Sequence, residues 1–213
     1  MRPKRTRAII APKNKKRAMT DIKSICVYCA SSSKVDTCYS DAAYNLGKIL
    51  AEKGIGLVTG GGGQGLMCSV EDGALENGGK AIGVIPQFMV EQNWHHTGLS
   101  ELRITGDMHE RKQTMANLSD AIIALPGGCG TMEELCEIIT WKQLGLYLNP
   151  IVILNTNGYY SHLIAQLEQA IEEHFMGKIH GKIWQVASTP EEALQIIAET
   201  PVWDSEVRKY AAL

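Results

Sequence analysis

No stretch of this 213-residue chain approaches the ~20 consecutive apolar residues of a membrane-spanning helix, so no helical anchor is expected. The first twenty residues lack the apolar core of a secretory signal and contain no serine and no acidic residue. They carry instead Arg2, Lys4, Arg5, Arg7, Lys13, Lys15, Lys16 and Arg17. Such an arm can touch RNA or anionic lipid, but it is short and has no periodic apolar face, so a solvated, flexible extension is expected. The whole chain has a net charge of −2, which argues against a general affinity for nucleic acid or membrane. The six cysteines (Cys26, Cys29, Cys38, Cys68, Cys129, Cys136) show no framework spacing. Cys26 and Cys29 form a C-x-x-C with no second pair, and residues three apart in a strand face opposite ways. Buried, reduced thiols in a cytoplasmic protein are the expectation.

What is present is ordinary globular composition, 45% hydrophobic and 21% charged, in a length that suits one sizeable core. β-Branched runs alternate with segments of helical spacing. Strands are expected at 22–30, 55–59, 80–85, 121–125, 150–154 and 183–187. Helices are expected at 39–53, 66–77, 107–119, 131–146, 158–174 and 189–198, the last capped by Ser188 or Thr189. Residues 87–106, with Trp94, His95 and His96, read as a long irregular stretch of surface loop. Two adjacent histidines without further ligands make no metal site. The alternation implies an α/β, Rossmann-like doubly wound parallel sheet with helices on both faces. One domain would span 21–200, between the 1–20 extension and a 201–213 tail.

Ligands of such sheets bind beyond the carboxyl ends of the strands. Three segments fall there: Ser31–Ser33, Gly60–Gly65 and Gly127–Gly130. Gly60–Gly65 satisfies G-x-G-x-x-G but follows the second strand, and no acid ends the next strand to hold a ribose hydroxyl. A Walker A loop is excluded because no Gly-Lys-Ser/Thr follows. What remains is a glycine turn whose amides could face phosphate, or else tight strand–helix packing. Residues 126–134, Pro-Gly-Gly-Cys-Gly-Thr-Met-Glu-Glu, combine a glycine turn with a helix start, a natural anion site. Thr131 and Glu134 have the spacing of a capping box. Glu133 and Glu134 would lie in the first turn, where the helix dipole favours the ionised form and hence work as a base or cation stabiliser. Asp107–Lys112 reads either as a solvated helix face or as a phosphate grip through Arg111.

Together these residues resemble the Lonely Guy family of cytokinin-activating phosphoribohydrolases, long mislabelled as lysine decarboxylases. Pro126, Gly127, Gly128, Gly130, Thr131 and Glu134 match its P-G-G-x-G-T-x-x-E signature. Met108, His109, Arg111 and Lys112 match its M-H-x-R-K signature. The first strand ending in serines, and Gly61–Gly63 with Gly65, Leu66 and Met67, fit as well, so the likeness spans roughly 22–200. The resemblance implies hydrolysis of the N-glycosidic bond of a nucleoside 5′-monophosphate, without metal or cofactor, in a homodimer. It implies catalysis by Arg111 and Glu134. Substrate contacts would come from Ser31, Gly62, Gly63, Lys112, Gly128, Cys129, Gly130, Thr131, Met132, Glu133 and Thr140. Glu91 is matched through a slightly longer connecting stretch. A non-catalytic nucleotide or pterin-cofactor carrier is the alternative. Lysine decarboxylation ranks below it, since nothing around Lys112 suggests a pyridoxal phosphate imine.

Overall fold

The computed structural model describes residues 21–201 and Trp203; the basic extension and most of the 201–213 tail lie outside the described residues. Seven strands form one sheet: β1 (Ser24–Tyr28), β2 (Gly56–Thr59), β3 (Ala81–Pro86), β4 (Glu101–Thr105), β5 (Ala121–Ala124), β6 (Ile151–Leu154) and β7 (Gln185–Ala187). The order is β4-β3-β2-β1-β5-β6-β7, and every pair is parallel. The chain starts at the centre, winds out to β4, returns to β5 beside β1, and winds out the other way. All carboxyl ends therefore lie along one edge, with the topological switch between β1 and β5.

The helices are α1 (Thr37–Glu52), α2 (Gly65–Glu76), the one-turn α3 (Gln87–Glu91), α4 (Met108–Asn117), α5 (Cys129–Gln143), α6 (Ser161–Glu172) and α7 (Pro190–Glu199). Successive residues of a strand face opposite sides, and this divides the core in two. Ile25 and Val27 of β1 pack with α1, α2 and α7; Cys26 and Tyr28 pack with α4 and α5. Cys26 and Cys29 accordingly sit in different clusters, both buried and both free, while Cys129 and Cys136 are exposed, against the expectation of buried thiols.

Residues 87–106 depart from the sequence reading. They contain α3 and the strand β4, which pairs with β3 from Glu101 to Thr105. Only Thr105 of β4 is buried. As an edge strand, β4 needs little apolar surface, so hydrophobicity did not reveal it. Capping choices are also settled: Thr189 accepts from the Glu192 amide at 3.2 Å. Asp107 starts α4 by accepting from the amides of His109 and Glu110, both at 2.8 Å.

Helices α1 and α2 approach closely because glycines face backbone at the crossing. A Cβ on Gly47 would strike the Val70 carbonyl, and one on Gly73 would strike the Tyr44 carbonyl. Alanine is favoured over glycine inside a helix by about 1 kcal/mol. Overpacking against backbone outweighs that, so G47A is expected to lose about 1–3 kcal/mol in urea unfolding; an unshifted midpoint would show that the helices separate freely.

Candidate active site

The loops after β1, β2, β3 and β5 enclose a cleft of about 620 Å³. Of the expected site residues, Ser31, Gly62, Gly63, Arg111, Gly128, Gly130, Thr131 and Glu134 line it.

Its floor at one end is the β5–α5 turn, held from behind. The Tyr160 hydroxyl donates to the Leu125 carbonyl at 2.7 Å, the Tyr159 hydroxyl to the Gly127 carbonyl at 2.8 Å, and the Ala30 amide to the Pro126 carbonyl at 3.2 Å. These tyrosines were missed in the sequence, where nothing local links them to the turn. Gly128 is the N-cap of α5, and no side chain caps the helix. The first intrahelical bond runs from the Met132 amide to the Gly128 carbonyl at 3.0 Å, so the amides of Cys129, Gly130 and Thr131 precede it. A Cβ on Gly128 or Gly130 would meet nothing within 4 Å, whereas one on Gly127 would collide with Thr131.

This corrects the capping-box expectation. The helix begins two residues before Thr131, whose side chain is buried under Gly127, and Glu133 and Glu134 fall in the second turn rather than the first. The helix dipole consequently does not dominate Glu134. Burial is the largest influence and raises its pKa, Arg111 and Lys112 pull it down, Glu133 and Glu137 push it up, and it settles at about 7. The expectation of a firmly ionised carboxylate does not hold.

Arg111 projects from α4 into the cleft and is buried. Its Nε donates to the Val84 carbonyl at 3.0 Å and one terminal nitrogen to the Gly60 carbonyl at 3.1 Å; the other lies 3.7 Å from the Met108 sulfur. Among the described residues it makes no ion pair with a carboxylate. A Cβ on Gly60 would overlap the guanidinium, so glycine there makes room for the charge. Lys112, its neighbour, turns away. It bonds Glu133 at 2.5 Å and Glu137 at 3.1 Å; burial works against its charge, but these carboxylates raise its pKa on balance.

In the glycine loop three successive amides are engaged within the protein. The Gly61 amide donates to the Thr59 hydroxyl at 3.0 Å, the Gly62 amide to the Met67 sulfur at 2.9 Å, and the Gly63 amide to the Trp94 carbonyl at 2.8 Å. Close packing is its role, with Gly61 at φ +71° against Gly83. The loop also binds the segment after α3, since the His96 amide donates to the Gly61 carbonyl at 2.9 Å. Trp94 and His95, expected as surface residues, line the cleft, together with Met89 and Asn93. Trp94 is 55% exposed, and His95 Nδ1 is buried without a partner.

Cys68, Asp72 and His96 hold possible ligand atoms within 4.8 Å of one another. The Gly98 amide donates to His96 Nδ1 at 3.0 Å, which leaves Nε2 protonated and donating to Asp72 at 2.9 Å. A metal would need that Nε2 lone pair, so the trio is a hydrogen-bonded latch. The side chains of the remaining expected residues are not part of the cleft lining. Cys129, Glu133, Thr140 and Glu91 are exposed. Thr140 bonds the Cys136 carbonyl, Glu91 bonds Gln87, and Met132 packs into the core.

Sheet and cleft together define a Rossmann-like α/β protein with an uncapped helix start, an unpaired arginine and a carboxyl group around one cavity. Residues 67–197 match the family model described as possible lysine decarboxylase. The chain is 43% identical over 188 residues to a probable cytokinin riboside 5′-monophosphate phosphoribohydrolase of Oryza sativa subsp. japonica, covering 88% of this chain and 75% of that one. It is 42% identical over 177 residues to a cytokinin riboside 5′-monophosphate phosphoribohydrolase of Arabidopsis thaliana, covering 83% and 82%. The chain belongs to this family, the Lonely Guy family of the sequence reading. Among solved structures it resembles the molybdenum cofactor carrier protein of Chlamydomonas reinhardtii, with TM-score 0.64 and 23% identity over 82% of this chain and 95% of that one. The molybdenum cofactor binding protein of Rippkaea orientalis is similar at TM-score 0.63 and 24% identity, over 82% and 94%. These two likenesses establish the fold.

Gly128 has φ −82°, open to any residue, and free space beyond it. G128A is therefore expected to leave stability within about 0.5 kcal/mol while placing a methyl group where an anion would sit. Titration calorimetry with AMP should show about tenfold weaker binding, about 1.4 kcal/mol; equal binding would move the anion elsewhere.

Proposed function

We propose that this protein hydrolyses the N-glycosidic bond of a nucleoside 5′-monophosphate, AMP or a cytokinin riboside 5′-monophosphate, to the free base and ribose 5-phosphate. The observation that carries this reading is one cavity holding the uncapped start of α5, the Arg111 guanidinium without a carboxylate partner, and the Glu134 carboxyl group. The amides of Cys129, Gly130 and Thr131 suit the 5′-phosphate, and fixing it fixes the sugar. Departure of the base builds positive charge on C1′ and its ring oxygen. Ionised Glu134 stabilises that charge and takes a proton from the attacking water; the hydroxyl goes to C1′, the C1′–N bond breaks, and the departing base takes up a proton from solvent, to which Glu134 returns its own. Arg111, already oriented by two carbonyls, contributes positive charge toward the phosphate.

The sheet order suggests where the base lies. The phosphate end follows β5 and the Trp94 segment follows β3, three strand spacings or about 14 Å apart. Trp94 offers an exposed aromatic face there, mounted on a main chain bonded to the glycine loop. Relatives named as phosphoribohydrolases support the activity. No lysine lines the cleft: Lys112 is engaged by Glu133 and Glu137, and Lys142 by the Asn149 carbonyl, so an imine with pyridoxal phosphate finds no partner there. We further propose a homodimer, to which the exposed Leu144 and Leu146 beyond α5 would contribute, in a reducing cytoplasm that suits six free cysteines.

E134Q is expected to bind AMP yet release adenine at least 100-fold more slowly; unchanged release would remove Glu134 from catalysis. Because the ionised form is the working one and the carboxyl of the free protein titrates at about 7, kcat/KM should rise with pH through that value. A fall over the same range would assign it the acid role. Adenosine, lacking the phosphate, should be a far poorer substrate than AMP. Binding of AMP with no base released on long incubation would favour a carrier. Stacking on an aromatic ring is worth about 1–3 kcal/mol per base, so W94A should raise KM for AMP about tenfold with little change in kcat.

A further inference from the structure

Glu71, on α2, is fully buried, and the chemistry above makes no use of it. Its surroundings on the same helix are Leu66, Val70 and Ala74, all of them core residues. One carboxyl oxygen accepts from the hydroxyl of Thr59, itself fully buried at the end of β2. The other, Oε2, is buried with no hydrogen-bond partner among the described residues. A half-satisfied carboxyl group in an apolar interior is destabilising by kilocalories, and such violations concentrate where geometry serves function.

The contacts lead from this group to the cleft. The same Thr59 oxygen that donates to Glu71 accepts from the Gly61 amide at 3.0 Å. Gly61 is held at φ +71°, and on its other side its carbonyl receives the His96 amide at 2.9 Å. Gly60, between Thr59 and Gly61, is the residue whose carbonyl holds the Arg111 guanidinium at 3.1 Å. Glu71, Thr59, the Gly60–Gly61 turn and Arg111 thus form one continuous chain of bonds.

Resting on the reading of the cleft as a phosphosugar site, we propose that Glu71 is a positioning residue: through the Thr59 hydroxyl it sets the Gly60–Gly61 turn and so aims Arg111 at the ligand. Burial pushes the carboxyl up to about 8 against the Thr59 hydrogen bond, which lowers it, with Asp72 adding to the rise, so the uncharged form predominates at neutral pH. The other titratable groups felt there are thiols: Cys29 of the β1 loop and Cys68 of α2, both raised by burial and neutral in this range. Above pH 8 Glu71 gains a desolvated charge that draws the Thr59 hydroxyl harder, shifts the Gly60–Gly61 turn and opposes an anionic ligand, so ligand affinity falls.

The test uses the full chain with ribose 5-phosphate in titration calorimetry and AMP in rate assays, from pH 7.5 to 9.5, where Glu134 is already mostly ionised, and E71Q carries the same residual Glu134 titration as the wild type. E71Q keeps an oxygen acceptor for Thr59 without the charge, and should bind ribose 5-phosphate as the wild type does at pH 7.5 while losing the alkaline weakening. E71M and T59V should both fold, weaken ribose 5-phosphate about tenfold and raise KM for AMP equally, with kcat within threefold. Wild-type affinity in E71M and T59V, or an alkaline loss that persists in E71Q, would overturn the positioning role alone. A wild type that neither binds ribose 5-phosphate nor releases base would overturn the cleft reading and this role with it.

Discussion

A buried guanidinium with carbonyl and thioether partners but no carboxylate within ion-pair reach is the constraint around which this cleft is organised. Burying a guanidinium is tolerable only when oriented dipoles or a counter-ion answer it. The carbonyls of Val84 and Gly60 give partial compensation and fix its direction. Across the cavity, the start of α5 adds a second positive field from amides that no side chain caps. The phosphate proposed to bind between them would satisfy both at once. Glu134 lives in the same field. Arg111 draws its pKa down while burial, Glu133 and Glu137 raise it, and the balance near 7 leaves a carboxyl group able to change protonation under working conditions.

The two glycine-rich turns contribute in different ways. At Gly60, Gly61 and Gly65 the missing Cβ makes room for something already there: the Arg111 guanidinium, the β3 backbone at Gly83, and the loop at Ser31 and Ser32. At Gly128 and Gly130 it leaves open space. The first turn is therefore close packing around a charge, and the second leaves room open to the cleft. Their letters look alike, and only the neighbours brought in by β3, α4 and the β1 loop separate them.

How far the site could be read in advance follows the same division. Central strands announced themselves because, buried on both faces, they are almost wholly apolar; β4, on the edge, did not. The signatures around Arg111 and Glu134 were readable because their residues are neighbours in sequence. Thr131 was misassigned as a cap, since glycine and cysteine propensities concealed that α5 starts at Cys129. Lys112 looked like a partner of Arg111, but a residue one position along a helix points about 100° away, and it found Glu133 and Glu137 instead. Trp94 and His95 fall in a stretch whose length already marked it as functional or mobile, but nothing local shows that the Gly63 amide draws it over the cleft.

Sequence by itself determined the alternation of strands and helices, the parallel class of the sheet, the family, and the two signatures that meet in the cavity. These depend on hydrophobic period and on short-range spacing, which the chain carries locally. Only the tertiary structure decided which amides stay free, which charges stay unpaired, and what the pKa of Glu134 becomes. Those properties depend on groups far apart in the chain, such as Tyr159 behind Gly127 or Thr59 between Glu71 and Gly61, and on the exclusion of water that packing alone produces.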